Sequence, residues 1–120
     1  MGLLSAQIVF AQNVAELLMY IHECKYGCTL GEAWRTPEMA AIYKAQGKGI
    51  VDSQHCKKLA IDINLFKDGK YLSDSKDHKP FGDFWESLHP LNRWGGDWDG
   101  DDCIDPGDND GNHYEMRVPA

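Results

Sequence analysis

The sequence predicts an α+β fold: a small single domain over residues 1–120, with N-terminal helices packed on an antiparallel sheet. Three observations predict it. Helical periodicity fills the first part of the chain, strand-like alternation appears only after residue 58, and no repeat or low-complexity linker separates them. Helices grouped ahead of strands indicate α+β rather than an alternating α/β architecture. A chain of 120 residues also has the size of one ordinary domain around one core.

The first helix is expected over residues 5–23. Leu4, Ile8, Ala11, Ala15, Leu18 and Ile21 recur at helical spacing and predict the face that packs on the core. The segment does not read as a signal peptide, because it lacks a basic leading region and Gln7, Gln12, Asn13 and Glu16 interrupt its apolar run. No unbroken stretch approaches the ~20 apolar residues of a membrane helix. The expectation is a chain made in the cytoplasm without an export address, not inserted in a membrane, and monomeric.

Lys25-Tyr26-Gly27 breaks the first helix. Thr36-Pro37-Glu38 opens a second, since Thr caps well and Pro suits the first helical position; it should end before Gly47-Lys48-Gly49. Leu59-Ala60-Ile61-Asp62-Ile63 alternates as a strand does, Lys67-Asp68-Gly69-Lys70 signals a turn, residues 81–88 form a short helix and residues 113–118 a last strand. Between Asp97 and Asp110 the run DWDGDDCIDPGDND is too rich in Asp and Gly to build a core element, and reads as a long acidic loop.

Charge narrows the partners. The net charge of −7, with Lys57-Lys58 as the adjacent basic pair, argues against a nucleic-acid surface, which needs clustered Lys and Arg. Cys24, Cys28, Cys56 and Cys103 are expected to be free or buried thiols, because no second Cys pair matches Cys24/Cys28 in spacing and a cytoplasmic origin disfavours disulfides.

Two clusters can carry chemistry. A catalytic zinc centre needs three protein ligands and an open position for water. Asp62 sits inside the apolar strand, seven residues after His55, where a lone carboxylate would be costly to bury. Such a group has a partner or a metal, or else faces solvent or an Arg. The second cluster is Asp110-Gly111-Asn112-His113-Tyr114-Glu115. A His at a strand start, three residues after a carboxylate, can put imidazole on a metal and the carboxylate beside a water. By itself this spacing is a weak signal. Glu86-Ser87-Leu88-His89 has the same form and reads as surface or packing around Trp85; His22 and His78 read as exposed or core histidines.

These residues carry a resemblance. Ser53, His55, Ala60 and Asp62 match the SxHxxxxAxD signature of the M15 zinc peptidases, which include D-alanyl-D-alanine carboxypeptidases and the L-alanyl-D-glutamate peptidases of phage endolysins. The run Gly31 to Glu38 resembles the GEAxRTxEQ segment of the phage branch, residues 64–69 resemble the segment after its ligand Asp, and Trp94-Gly95-Gly96 with Asp110-Gly111-Asn112-His113 resembles its WGG…DGNHF block. The matches run in order over nearly the whole chain.

The resemblance implies a sheet carrying a Zn2+ site with His55, Asp62 and His113 as ligands. It implies Asp110 as general base, where many relatives carry Glu, and Arg35 as an anchor or polariser of the substrate carbonyl or carboxylate. Ser53 would support the site through hydrogen bonding or touch substrate, its other reading being a turn residue. Of the aromatic residues Phe81, Phe84, Trp85, Trp94 and Trp98, most are expected in the core, with Trp94 or Trp98 lining the substrate cleft. The activity implied is zinc-dependent hydrolysis of a peptide bond in the peptidoglycan stem peptide, the L-Ala–D-Glu bond first. The alternatives are a D-Ala–D-Ala carboxypeptidase and a non-catalytic wall-binding module of the same fold. The setting implied is a phage or prophage endolysin that reaches the wall after holin-type release.

The acidic stretch departs from the family pattern. Asp97, Asp99 and Asp101 stand at positions 1, 3 and 5 of a calcium-loop pattern, with Asp108 at position 12. Asp102 replaces the loop's Gly and position 12 is not Glu, so an EF-hand is not expected. A looser Ca2+ site at Asp97, Asp99 and Asp101 is one expectation and a solvated acidic loop the other.

Overall fold

A computed structural model describes residues 1–47, 53–97 and 110–118. The chain begins with α1 (Leu3–Glu23) and β1 (Gly27–Leu30), followed by α2 (Pro37–Ala45) and a 3-10 turn at Gln54–Lys57. Then come β2 (Ala60–Lys67), β3 (Lys70–Leu72), α3 (Ser75–Leu88), β4 (Asn92–Trp94) and β5 (His113–Met116). The α+β class and the antiparallel sheet are as the sequence predicts.

Local chemistry sets several boundaries. Lys25 takes φ 70° just after α1 and turns the chain into β1. Thr36 Oγ1 accepts the Met39 N–H at 3.1 Å and Pro37 takes the first helical position of α2. Asp68 and Gly69, at φ 52° and 78°, form the two-residue turn joining β2 to β3. α3 starts well before residue 81 and runs through Pro80. Beyond sterics, Pro80 forfeits one backbone donor there, and the helix is held by the face carrying His78, Phe81, Gly82 and Trp85, which is buried.

The buried face of α1 differs from the expected one. Ala6, Phe10, Asn13, Leu17 and Ile21 are buried, whereas Leu4, Ile8, Ala11 and Ala15 are exposed. α1 is apolar on two sides, so periodicity alone does not choose between them. The helix is also long and apolar enough to cross a membrane by length and composition. Its inward stripe is nevertheless committed to the core, where Phe10 meets Trp85 edge-on at 5.5 Å.

The strand order is β1-β2-β5-β4, with β3 also paired to β2 and every pairing antiparallel. Strand alternation gives the sheet two different faces. Ile61, Ile63 and Leu65 of β2 and Tyr114 and Met116 of β5 are buried with Phe10, Leu17, Phe81, Trp85 and Trp94. Burying each such large side chain contributes about 1.5–3 kcal/mol. Asp62 and Asn64 of β2 and His113 and Glu115 of β5 alternate onto the opposite face. Asp62 is thus half-buried on the face opposite the core and not a carboxylate inside it. Among the described residues Cys24, Cys28 and Cys56 form no disulfide; Cys103 lies outside the described residues.

Candidate metal centre

Strand register brings the first two candidate ligands together. Asp62 of β2 lies directly opposite His113 of β5. The Asp62 N–H donates to Glu32 O at 2.9 Å and its carbonyl accepts from Gly31 N–H at 2.7 Å, so its backbone bonds go to the chain beyond β1. Ile63 N–H donates to Asn112 O at 2.8 Å instead. Asp62 and His113 are therefore a non-hydrogen-bonded pair, the kind with the closest side chains. His113 Nδ1 stands 3.2 Å from Asp62 Oδ1.

His55 arrives from the 3-10 turn just before β2. Ser53 Oγ accepts the His55 N–H at 3.2 Å and caps that turn, and Lys58 at φ 59° closes it. His55, 2% exposed, points Nε2 at the same Asp62 oxygen, 3.3 Å away. Ligand atoms of His55, Asp62 and His113 all lie within 4.8 Å of one another.

The donor set fits a zinc ion. Two imidazoles and one carboxylate converge, as catalytic zinc sites require, and the far nitrogen of each ring is engaged elsewhere. His55 Nδ1 faces the Ala33 carbonyl at 3.4 Å, and His113 Nε2 faces Glu115 Oε1 at 2.8 Å. In the absence of a metal the carboxylates and imidazoles of the cluster pair with one another. Burial would raise the Asp62 pKa, yet hydrogen bonds to His113 and His55 outweigh it and hold the carboxyl at about 2. Burial would lower His113, yet Asp62 and Glu115 outweigh it and hold the imidazole at about 9. A metal at Nδ1 would take the place of that ring's proton.

Arg35 is held at the edge of this cluster. Its N–H donates to His55 O at 3.1 Å, its Nε donates to Glu32 Oε1 at 2.7 Å, its Nη2 pairs with the same oxygen, and its guanidinium stacks over Tyr43 at 4.9 Å. Asp110 is exposed at the entry to β5, where its carbonyl accepts the His113 N–H at 2.9 Å. The structure thus gathers His55, Asp62 and His113 and sets Arg35 and Asp110 on backbone directly bonded to His55 and His113.

Other expected site residues fall elsewhere. Trp94 does not line a cleft: it is 1% exposed, its ring lies against Gly82 and Gly96, and its Nε1 donates to Gly111 O at 2.7 Å. A Cβ at Gly82 or Gly96 would come within 2.1 or 2.2 Å of the indole, so these glycines make room for it. Trp94 acts as a clasp on the turn that delivers His113. Ser53 is buried and its hydroxyl serves the His55 backbone, not a ligand surface. Trp98, Asp99 and Asp101 lie outside the described residues. Asp97 is buried and, after burial itself, helps push the Glu86 pKa up. Glu86 accepts the Trp94 N–H at 3.1 Å and His89 accepts the Leu91 N–H at 3.1 Å, so that ExxH pair splits into two local roles.

Sequence reasoning missed Glu115, Glu32 and the Ala33 carbonyl. The first was within reach: two residues after His113 on a strand, Glu115 must share its face.

An α+β fold with a two-His, one-Asp cluster on its open sheet face is the class these features define. No family model and no curated protein matches the chain. Among solved structures, it is similar to the crystal structure of Serratia marcescens L-Ala D-Glu endopeptidase ChiX, at TM-score 0.56 and 16% identity over 75% of this chain and 66% of that one. The chain spans just under two thirds of that enzyme's length, and at this identity the similarity is one of fold.

Proposed function

We propose that this protein is a zinc-dependent peptidase that hydrolyses an amide bond in the peptidoglycan stem peptide, the L-Ala–D-Glu bond first. The observation that carries the reading is the convergence of His55, Asp62 and His113 within 4.8 Å, with the far nitrogen of each imidazole held by an acceptor. The fold shared with an L-Ala D-Glu endopeptidase supports the substrate class, as does the resemblance of the surrounding motifs to the M15 peptidases.

A zinc ion held there would polarise a carbonyl and acidify a water. The chain's residues would do the rest. Asp110 would accept the water's proton and return it to the leaving amine. Arg35, held by Glu32 and Tyr43, would present its guanidinium to a substrate carbonyl or carboxylate. An endolysin role would have the chain made in the host cytoplasm and reach the wall after the membrane is opened.

The test is mass spectrometry of purified muropeptides incubated with zinc-loaded and chelator-treated protein. A zinc-dependent product supports the peptidase, and its mass names the bond, L-Ala–D-Glu or D-Ala–D-Ala. No product from any wall peptide, with zinc bound and the fold intact, would replace this reading with a wall-binding module.

A further inference from the structure

Glu115 is a buried carboxylate beside the metal cluster, only 6% exposed. Burying a charge is costly unless it is paired. The residue directly across the β4–β5 ladder is Arg93, the natural partner for a cross-strand ion pair. Arg93 instead donates to the Pro90 carbonyl at 3.0 Å and the Asn92 carbonyl at 2.7 Å. Glu115 divides its two oxygens differently. Oε1 takes His113 Nε2 at 2.8 Å, and Oε2 takes Arg117 Nε at 2.5 Å. On its other side lies Ala60, whose small side chain leaves the carboxylate room.

We propose that Glu115 is a positioning residue that fixes which nitrogen of His113 faces the metal, with Arg117 bracing its second oxygen. With Nε2–H donating to Glu115, a metal that displaces the other ring proton would find the lone pair of His113 on Nδ1, the atom 3.2 Å from Asp62. His55 is set the other way, with Nδ1 toward a backbone carbonyl and Nε2 toward Asp62. The two histidines therefore offer opposite ring nitrogens, and Glu115 is the group that makes the difference at His113. A carboxylate on the far N–H also makes the imidazole a stronger donor. The inference rests on the reading of His55, Asp62 and His113 as a zinc centre.

The experiment is two-bond proton–nitrogen NMR of the imidazoles in the zinc-loaded, 15N-labelled protein, which reads ring protonation directly and independently of hydrolysis. The expected pattern has His113 protonated at Nε2 and metal-bound through Nδ1. The opposite pattern overturns the role of Glu115 and leaves the zinc centre standing. Failure to take up zinc at all removes the zinc-centre reading and this one with it. In parallel, zinc affinity is measured by competition with a chromophoric chelator. Glu115→Ala is expected to weaken it about 10–100-fold, while Glu115→Gln, which keeps an acceptor oxygen, retains most of it. Unchanged affinity in a folded Glu115→Ala protein would also overturn the proposal.

Discussion

Lowering the pH should destabilise the protein through one buried histidine on the core side of the sheet. His78 of α3 is 2% exposed, and its Nδ1 lies 2.8 Å from the Tyr114 hydroxyl. Burial holds its pKa down at about 4, against an ordinary 6.5. Between those values the unfolded chain binds a proton that the folded chain refuses. Stability is therefore full above pH 6.5, falls as pH drops through that window, and levels off below about pH 4. By about pH 5 the loss is on the order of 2 kcal/mol, and it passes about 3 kcal/mol at the plateau. Glu86, raised by burial, acts in the same window with the opposite sign, but it is common to parent and variant and drops out of their difference. Asp62 and Glu115 are lowered, so their contribution fades only near and below the ordinary carboxylate range. His113 is raised, so its contribution is complete below pH 6.5 and fades as pH rises through about 9. The assay is urea unfolding of the zinc-free protein between pH 7 and about pH 5, for the parent and for His78→Asn, whose amide oxygen can replace Nδ1 as acceptor. The parent should lose about 2 kcal/mol more than the variant across that span. Equal slopes would refute the assignment.

Two further predictions test how the site is held and used. Asp110→Asn should keep zinc and lose about 10²–10⁴-fold in turnover, the ordinary worth of a general base, whereas His113→Ala should lose zinc and activity together; full turnover by Asp110→Asn would remove the base assignment. Gly82→Ala gains about 1 kcal/mol of helix propensity, but its Cβ would stand 2.1 Å from Trp94 Cδ2 and overpacking costs about 1–3 kcal/mol. A rigid indole tethered to Gly111 O has little room to yield, so thermal melting should show net destabilisation, with weaker zinc binding by chelator competition; a variant as stable as the parent would refute the clasp.

What the sequence made legible was chemistry that acts locally. The Thr36-Pro37 start and the Asp68-Gly69 turn are written in the residues that form them, because capping and positive φ are properties of one or two positions. Elements that depend on distant partners were hidden. β1 is four residues long and exists by pairing with residues 63–66 of β2, and β4 is three residues held against β5. α1 shows the limit of periodicity: Leu4 and Ile8 follow the helical repeat as well as Phe10 and Leu17 do, and only the aromatic ring of Trp85 opposite Phe10 settles which stripe turns inward. The three ligand candidates were legible from motif resemblance, whereas Glu115 and Glu32 became visible once strand register and the path of residues 31–35 placed them against His113 and Arg35.

The cluster of His55, Asp62 and His113 depends on a register that the opposite face of the sheet enforces. A slip of one residue between β2 and β5 would turn His113 away from Asp62 and bring the hydrophobic Tyr114 to the functional face. Four contacts stand against it, three on the core side. Trp94 Nε1 holds Gly111 O at 2.7 Å, the Tyr114 hydroxyl meets His78 at 2.8 Å, and Trp85 Nε1 holds Glu115 O at 2.9 Å. The fourth is the Gly95 N–H on the His113 carbonyl at 2.8 Å. Gly111, His113, Tyr114 and Glu115 are each tied by one of these, so β5 can slide only by breaking several buried hydrogen bonds at once, each costly to leave unmade. Trp94, first read as a wall of a substrate cleft, thus serves instead in the frame that holds the cluster geometry, and the WGG and DGNH segments belong together because one grips the strand that the other begins.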